Sequence, residues 1–469
     1  MAVQTFKEIT RLRKSGQIEE AWNLGVTEVK AHPNDNYLKG SFFWVCYDYL
    51  KPIQEKIQAR ANTSSNYRPF DDELERINFL LDWVIWLNLP YGGFEYPRLM
   101  FLFRKNLEFF PKLVHMLAEG QENIFSDEDK QPFMGEHGEL SSLMLGSARQ
   151  LAKAWLDFGQ EYSLDVDAVL RFLDISRNQC NDKKNKIWLD YDEAKCLIRA
   201  GRYDAARKFL IPVLKKKSRE SWAWGALAAS YMREDRDVAI KLFAEGISHA
   251  RDEVFALKLL KGIAPLLASA GKTQEASMCL QRAVVCYEKN GWRLKQDIQT
   301  LTEQPWYDAS CDTTKIKAFI NSAKQGADQY LYGELSEKVG MVVNLHQSGQ
   351  GCHIYIKAGV VISTPFAIFN GKKPKLVDYV SVKYTDDGQG MQPKIVEVTL
   401  PQDIPGVEHY EGDLRVAPGG FGFVDDTFIP PSLIKSEYAG LKVKVLRFQD
   451  INKTKNKLGW KAVTMELQN

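Results

Sequence analysis

Residues 412 to 429 read Gly412-Asp-Leu-Arg415-Val-Ala-Pro-Gly-Gly420-Phe421-Gly-Phe423-Val-Asp-Asp-Thr-Phe428-Ile429. The glycine pair marks a turn, and the alternation after it puts Phe421 and Phe423 on one face of a short strand, because successive side chains on a strand point to opposite faces. Phe428 follows on a second strand. Three rings displayed in this way suit a small β-barrel that offers a stacking surface. Outward from this stretch, from about residue 330 to the end, apolar residues alternate and glycine-rich turns recur. Strands are expected at 339–346, 352–357, 360–363, 379–384 and 394–399, then near 412–416, 421–425, 427–429, 441–447 and 458–466. Two β units follow, 332–402 and 408–469, joined by the stiff Pro401-Gln-Asp-Ile-Pro-Gly406.

Before residue 325 the apolar spacing is helical and almost nothing alternates. Three stretches share a pattern: Gly16-Gln-Ile-Glu-Glu-Ala21, Gly201-Arg-Tyr-Asp-Ala-Ala206 and Gly271-Lys-Thr-Gln-Glu-Ala276. Each sets a glycine at a helix-helix turn and a small alanine where the second helix must approach the first closely. These resemble tetratricopeptide repeats. Gly201 and Gly271 are 70 residues apart, about two periods of roughly 34, with a degenerate unit at Arg233-Glu-Asp-Arg-Asp-Val-Ala239 between them. Such arrays present a concave surface to peptides or proteins. Trp222, Trp224, Tyr231 and Phe243 are assigned to helix packing, and Lys215-Lys-Lys-Ser-Arg219 to a solvated turn. The segment 79–89, apolar except for Asp82 and Asn88, is expected to be a helix buried on most sides, the alternative being a hydrophobic groove. The polar, aperiodic stretch 122–139 is expected to be a long loop.

The second β unit resembles a cold-shock-type OB fold, a pattern that opens Gly-x-Val-Lys-Trp-Phe, continues Lys-Gly-Phe-Gly-Phe-Ile and ends in a Val-Phe-Val-His strand. The matching positions are Gly412, Arg415, Gly420, Phe421, Gly422, Phe423, Val424, Phe428 and Ile429. Val416 and Ala417 stand where the pattern has Trp and Phe, Gly419 where it has Lys, and Pro430 where it has His. The resemblance implies single-stranded nucleic acid stacked on Phe421, Phe423 and Phe428, with Arg415 beside them. Between Gly440 and Lys461 there are seven basic residues (Lys442, Lys444, Arg447, Lys453, Lys455, Lys457 and Lys461) against one acid, Asp450. Lys442, Lys444, Lys453, Lys455 and Lys457 are therefore candidates for the phosphate backbone. A merely solubilising β-turn is the alternative for the Lys453 to Lys457 run. Trp460 reads as barrel core or rim. The first β unit, the size of an OB barrel, offers His353, Tyr355 and Phe366 but no Phe-Gly-Phe, so it is expected to brace its neighbour.

Composition sets outer bounds. With 62 Lys+Arg against 60 Asp+Glu the charge is +2, so a nucleic-acid site must come from local charge. Seven scattered cysteines without a Cys-x-x-Cys argue for reduced thiols in a cytoplasmic protein and against structural zinc. No window reaches the roughly 18 apolar residues of a spanning helix. There is no phosphate loop, no Gly-x-Ser-x-Gly elbow and no His-Glu-x-x-His. His32, His115 and His249 fall in helical contexts, and His346, His353 and His409 in the β region with no spacing that suggests a ligand set. No catalytic residue, metal or cofactor is assigned.

The expected architecture is multidomain, α followed by β: a helical domain over 1–180 with one degenerate repeat and a non-repeat insert, tetratricopeptide-like repeats over 187–325, an OB-like barrel over 332–402 and a cold-shock-like barrel over 408–469. The expected function is that of a non-enzymatic adaptor holding single-stranded nucleic acid, RNA ahead of DNA, on the last barrel and a protein partner on the helices. Such a domain pairing resembles accessory components of prokaryotic conflict or defence systems. The alternative is a scaffold whose barrels bind protein only.

Overall fold

The computed structural model describes residues 2–61, 67–135, 138–333, 335–386, 390–434, 436–452 and 457–468. The chain divides into two compact units, Met1–Glu234 and Asp235–Asn469.

In the first unit, α1 (Ala2–Lys14) and α2 (Ile18–Ala31) form a hairpin. Its turn is made by Gly16 at φ 83°, a left-handed conformation that only glycine adopts freely. Ala21 is fully buried, as the close-approach argument requires. Next come α3 (Asn36–Ala61), α4 (Asp71–Leu87), α5 (Glu95–Phe103) and α6 (Pro111–Gly120). The apolar α4 is not enclosed. It buries one stripe, Ile77, Leu80, Leu81, Val84 and Leu87, whereas Phe79 is 55% exposed and Ile85 and Trp86 are exposed too. The outward rings pack on one another at the surface instead: Trp83 lies 5.6 Å from Trp86 and 6.0 Å from Trp22 of α2, and Trp22 lies 6.1 Å from Phe79. Hydropathy alone could not separate the two faces, because both are apolar.

The expected loop over 122–139 holds two 3₁₀ turns, Gln121–Ile124 and Glu128–Lys130, and an antiparallel pair, β1 (Phe133–Gly135) with β2 (Gly138–Leu140). Three-residue strands are too short for alternation to register in the sequence. Helices α7 (Leu143–Phe158), α8 (Val166–Gln179), α9 (Lys186–Arg199), α10 (Tyr203–Lys216) and α11 (Ser221–Tyr231) complete this unit. Trp224 is buried, while Trp222 is half-buried against Tyr191 (4.6 Å) and Trp188 (5.4 Å).

The second unit opens with α12 (Arg236–Ser248), α13 (Glu253–Ser269) and α14 (Thr273–Lys289), then α15 (Gln296–Thr302), α16 (Ile316–Ala323) and α17 (Gln329–Tyr332). The α9/α10 and α13/α14 hairpins are tetratricopeptide-like. Gly201 (φ 77°) and Gly271 (φ 76°) make their turns, and Ala206 and Ala276 are fully buried. Where the degenerate stretch lacks the glycine, Asp235 caps α12 by accepting from the Val238 N–H at 3.0 Å. The segment that leads to the β region is tied to α12 by charge. Lys324 Nζ lies 3.3 Å from Glu245 Oε2 and 3.2 Å from Ser248 Oγ, and His249 Nε2 lies 2.8 Å from Glu245 Oε1.

Ten strands follow: β3 (Ser336–Leu345), β4 (Gly351–Lys357), β5 (Val360–Pro365), β6 (Tyr379–Asp386) and β7 (Met391–Thr399), then β8 (Val407–Val416), β9 (Gly422–Val424), β10 (Thr427–Ile429), β11 (Lys442–Asn452) and β12 (Lys457–Leu467). The last five form a closed barrel in the order β10-β12-β11-β8-β9, sealed by the parallel β10/β12 pair. The first five follow the same connectivity, β5-β4-β3-β6-β7, but form a sheet. Where the barrel has its sealing pair, this sheet has an isolated bridge between Phe369 and Val396. β5 ends at Pro365, which has no N–H for a ladder, and the chain turns into a 3₁₀ segment, Phe366–Ile368.

The sheet has a core of its own in Val342, Ile354, Val380, Val382 and Val396, and the barrel in Leu414, Val424, Ile429, Val443 and Val445. A third cluster joins the two: Met341, Val343 and Tyr355 of the sheet meet Phe448 and Val463 of the barrel. The Tyr355 ring is 5.3 Å from Phe448, and its hydroxyl donates to the Pro405 carbonyl at 2.8 Å.

Candidate nucleic-acid interface

The decisive stretch folds as its alternation dictates. Gly420 sits at φ 76° in the turn before β9. Gly422 and Val424 then point into the barrel and Phe423 points out, 38% exposed. On β10, Thr427 and Ile429 are buried and Phe428 is half-buried on the outside. The three phenyl rings form a triangle with centroid separations of 5.7, 5.8 and 5.9 Å, two of its contacts edge-to-face. Such edge-to-face packing fixes the rings against one another. Part of each ring stays open to solvent.

Register extends the platform to either side. Arg415 on β8 is paired with Phe423, Phe423 with Phe428, and Phe428 with Lys461 on β12. Paired residues share a face, so one row runs Arg415, Phe423, Phe428, Lys461 across four strands. Lys457 and Gly459 continue that face along β12 by the two-residue period, and a side chain at Gly459 would meet open space. Lys461 joins this face although the charge count alone does not single it out, because its place depends on a parallel pairing that no local pattern announces.

Lys442 and Lys444 are placed differently. On β11 they stand opposite Asp413 and Glu411 of β8, with Glu466 of β12 also opposite Lys444. They belong to a sheet face of alternating charge, away from β9 and β10. Lys453 and Lys455 lie outside the described residues.

Arg447, one of the seven basic residues, points inward and is 6% exposed. It lies between the rings of Tyr410 (3.7 Å) and Trp460 (4.2 Å). Its Nη1 donates to Asp426 (2.9 Å) and to Thr427 Oγ1 (2.7 Å), and its Nε donates to Glu408 (3.0 Å). Asp426 and Thr427 form the β9/β10 turn and the first position of β10, so this buried cation fastens the hairpin that carries Phe423 and Phe428. The preceding turn residue, Asp425, takes φ 53° and accepts from the Tyr410 hydroxyl at 2.7 Å, which raises the Tyr410 pKa.

Residues 408–465 match the model of S1/CSD-like domain 2 of the TOTE conflict systems. The barrel is an S1/cold-shock-like domain. Residues 187–327 match a domain of unknown function, DUF7017. The chain matches none of the curated proteins at a significant level. Among solved structures, drosophila Unr CSD456 is matched at 12% identity and a TM-score of 0.15, over 30% of this chain and 66% of that one. A human IFIT1 dimer with m7Gppp-AAAA is matched at 18% identity and a TM-score of 0.26, over 69% and 78%. Scores this low establish no shared arrangement of the whole chain.

Of the residues that the sequence put forward in the first β unit, Tyr355 is used up against Phe448, and Phe366 packs at the edge of the sheet core under Lys373 (4.5 Å). His353 stays on the open part of the face. Among the described residues no group of three or more His, Cys, Asp or Glu could hold a metal, and no helix is long and apolar enough to cross a membrane.

Proposed function

We propose that this chain is a cytoplasmic adaptor that performs no chemistry of its own: its C-terminal barrel holds single-stranded nucleic acid, RNA in preference to DNA, and its helical repeats hold a protein partner. The observation that carries the reading is the row Arg415, Phe423, Phe428, Lys461, with Phe421 completing the triangle. Half-exposed rings flanked by cations match what an unpaired strand offers, namely base faces and a phosphate backbone. Each stacked base is worth about 1 to 3 kcal/mol, so three rings with two or three phosphate contacts support micromolar binding. The family-model match of the barrel agrees with this reading.

Two experiments test it. Competition between RNA and DNA of one sequence for the whole protein measures the preference; equal affinities remove the RNA part of the proposal. Tagged full-length protein purified from its own cells with and without nuclease tests the partner, which should remain bound after nuclease treatment. A scaffold whose barrel binds protein alone has one observation in its favour, the use of Tyr355 and Phe448 as packing. That reading predicts no salt-sensitive nucleic-acid binding at all.

A further inference from the structure

The sheet and the barrel share one strand order, so their equivalent faces can be compared row by row. On strands one to three of the barrel, the outward row is Arg415, Phe423, Phe428. On β3, β4 and β5 there are two outward rows. Met341, Tyr355 and Val361 form one, and it is covered by Phe448 and Val463. Asn344, His353 and Ser363 form the other, one step of the pleat further along, and it is open.

That open row is organised. The His346 ring packs edge-on against His353 at 4.6 Å, its Nε2 lies 3.3 Å from Ser363 Oγ, and Asn344 Nδ2 lies 3.5 Å from His353 Nδ1. The turn after His346 is held by the basic loop that follows β5, through Lys373 Nζ donating to the Gly349 carbonyl at 3.2 Å. Lys372 and Lys375 on that loop are exposed. From Val339 to Val377 the chain has four lysines (Lys357, Lys372, Lys373, Lys375), both of these histidines and no acidic residue, in a protein with 60 acids. Two flat imidazoles, an amide and a hydroxyl lie beside a lysine loop whose nearby carboxylates are already engaged, Asp378 by the Lys375 N–H (2.7 Å) and Glu397 by Asn370 Nδ2 (2.7 Å), and together they are the chemistry of a base and its phosphate.

We infer that the β3-β4-β5 face is a second nucleic-acid subsite, in which a base stacks on His346 and His353, its edge bonds to Asn344 and Ser363, and the backbone crosses the Lys372 to Lys375 loop. The inference rests on the reading of the barrel as a single-strand site and extends it to a longer strand. The sheet gives one of its outward rows to the barrel and keeps the other for the ligand.

The test uses the full chain and single-stranded RNA of two lengths: about 6 nucleotides, within what one OB fold covers, and about 20, beyond it. The double variant His346→Ala/His353→Ala should weaken the long strand roughly tenfold and leave the short one within about twofold, since it removes one stacking point and not the barrel's. Lys372→Glu/Lys375→Glu, which alters only exposed side chains, should do the same and lower the salt dependence for the long strand; it keeps the test open if the histidine variant fails to fold. Long-strand affinity unchanged in both variants overturns the inference while the barrel reading stands. Binding lost in the histidine variant but kept in Phe421→Ala/Phe423→Ala overturns the barrel reading and leaves the sheet as the site. A wild-type protein that binds neither strand overturns both.

Discussion

Replacing Arg447 with methionine keeps most of the stem and removes the fork that ties Glu408, Asp426 and Thr427 together. A hydrogen bond to a charged partner contributes about 1.5 to 3 kcal/mol when buried. Here Glu408 and Asp426 are 47% and 67% exposed and can regain water, so each is discounted to about 1 kcal/mol. Loss of the cation between Tyr410 and Trp460 adds about 1 kcal/mol. The total, about 3 kcal/mol, corresponds to about a hundredfold more frequent opening of the β9/β10 hairpin. Hydrogen exchange of the full-length protein, followed by mass spectrometry, should show that acceleration in peptides covering 422–429 and the first half of β8, with the helical peptides unchanged. Nucleic-acid affinity should fall as well, because the platform is held less of the time. Unchanged exchange over 422–429 in Arg447→Met would refute the argument that this buried cation holds the hairpin.

Other consequences follow from single sites. Burial, with Glu245 close by, raises the Asp328 pKa to about 6. A carboxyl with a raised folded-state pKa contributes stability at low pH that is lost as pH rises through that value. Asp328→Asn should therefore raise the melting temperature at pH 7.5 and make little difference near pH 4; equal effects at both would exclude the assignment. A Cβ at Gly25 would overlap the Phe42 ring, so Gly25→Ala should cost about 1 to 3 kcal/mol in denaturant unfolding, and a neutral result would show that the ring can move. Cys311 is the partly exposed thiol while the other six are buried, with burial pushing Cys279 up to about 12 and Cys352 to about 11. A thiol reagent should accordingly reach Cys311 ahead of the other six in the native protein, and modification of several at comparable rates would contradict the burial.

The features legible in the sequence are those set by local chemistry. Turn glycines at positions 16, 201 and 271, buried alanines five residues later, and the alternation over Phe421 to Val424 each follow from sterics within a few residues. The features that were not legible depend on pairings between distant segments. Lys461 joins the aromatic row, and Lys442 and Lys444 leave it, only through strand register. Tyr355 reads as a potential ligand contact until the barrel is seen to cover it. The exposed rings of α4 were hidden by its uniform hydropathy, and Arg447 looked like one more surface cation because nothing in its own strand says that Tyr410 and Trp460 enclose it.

The most direct test of the central claim is fluorescence anisotropy of a labelled single strand of about 15 nucleotides, as RNA and as DNA, titrated with the whole protein at two salt concentrations. The titration is repeated with Phe421→Ala/Phe423→Ala. The account predicts micromolar binding that weakens steeply with salt and falls by at least about tenfold in the variant. Absence of binding at tens of micromolar, or binding that the variant leaves intact, would contradict it.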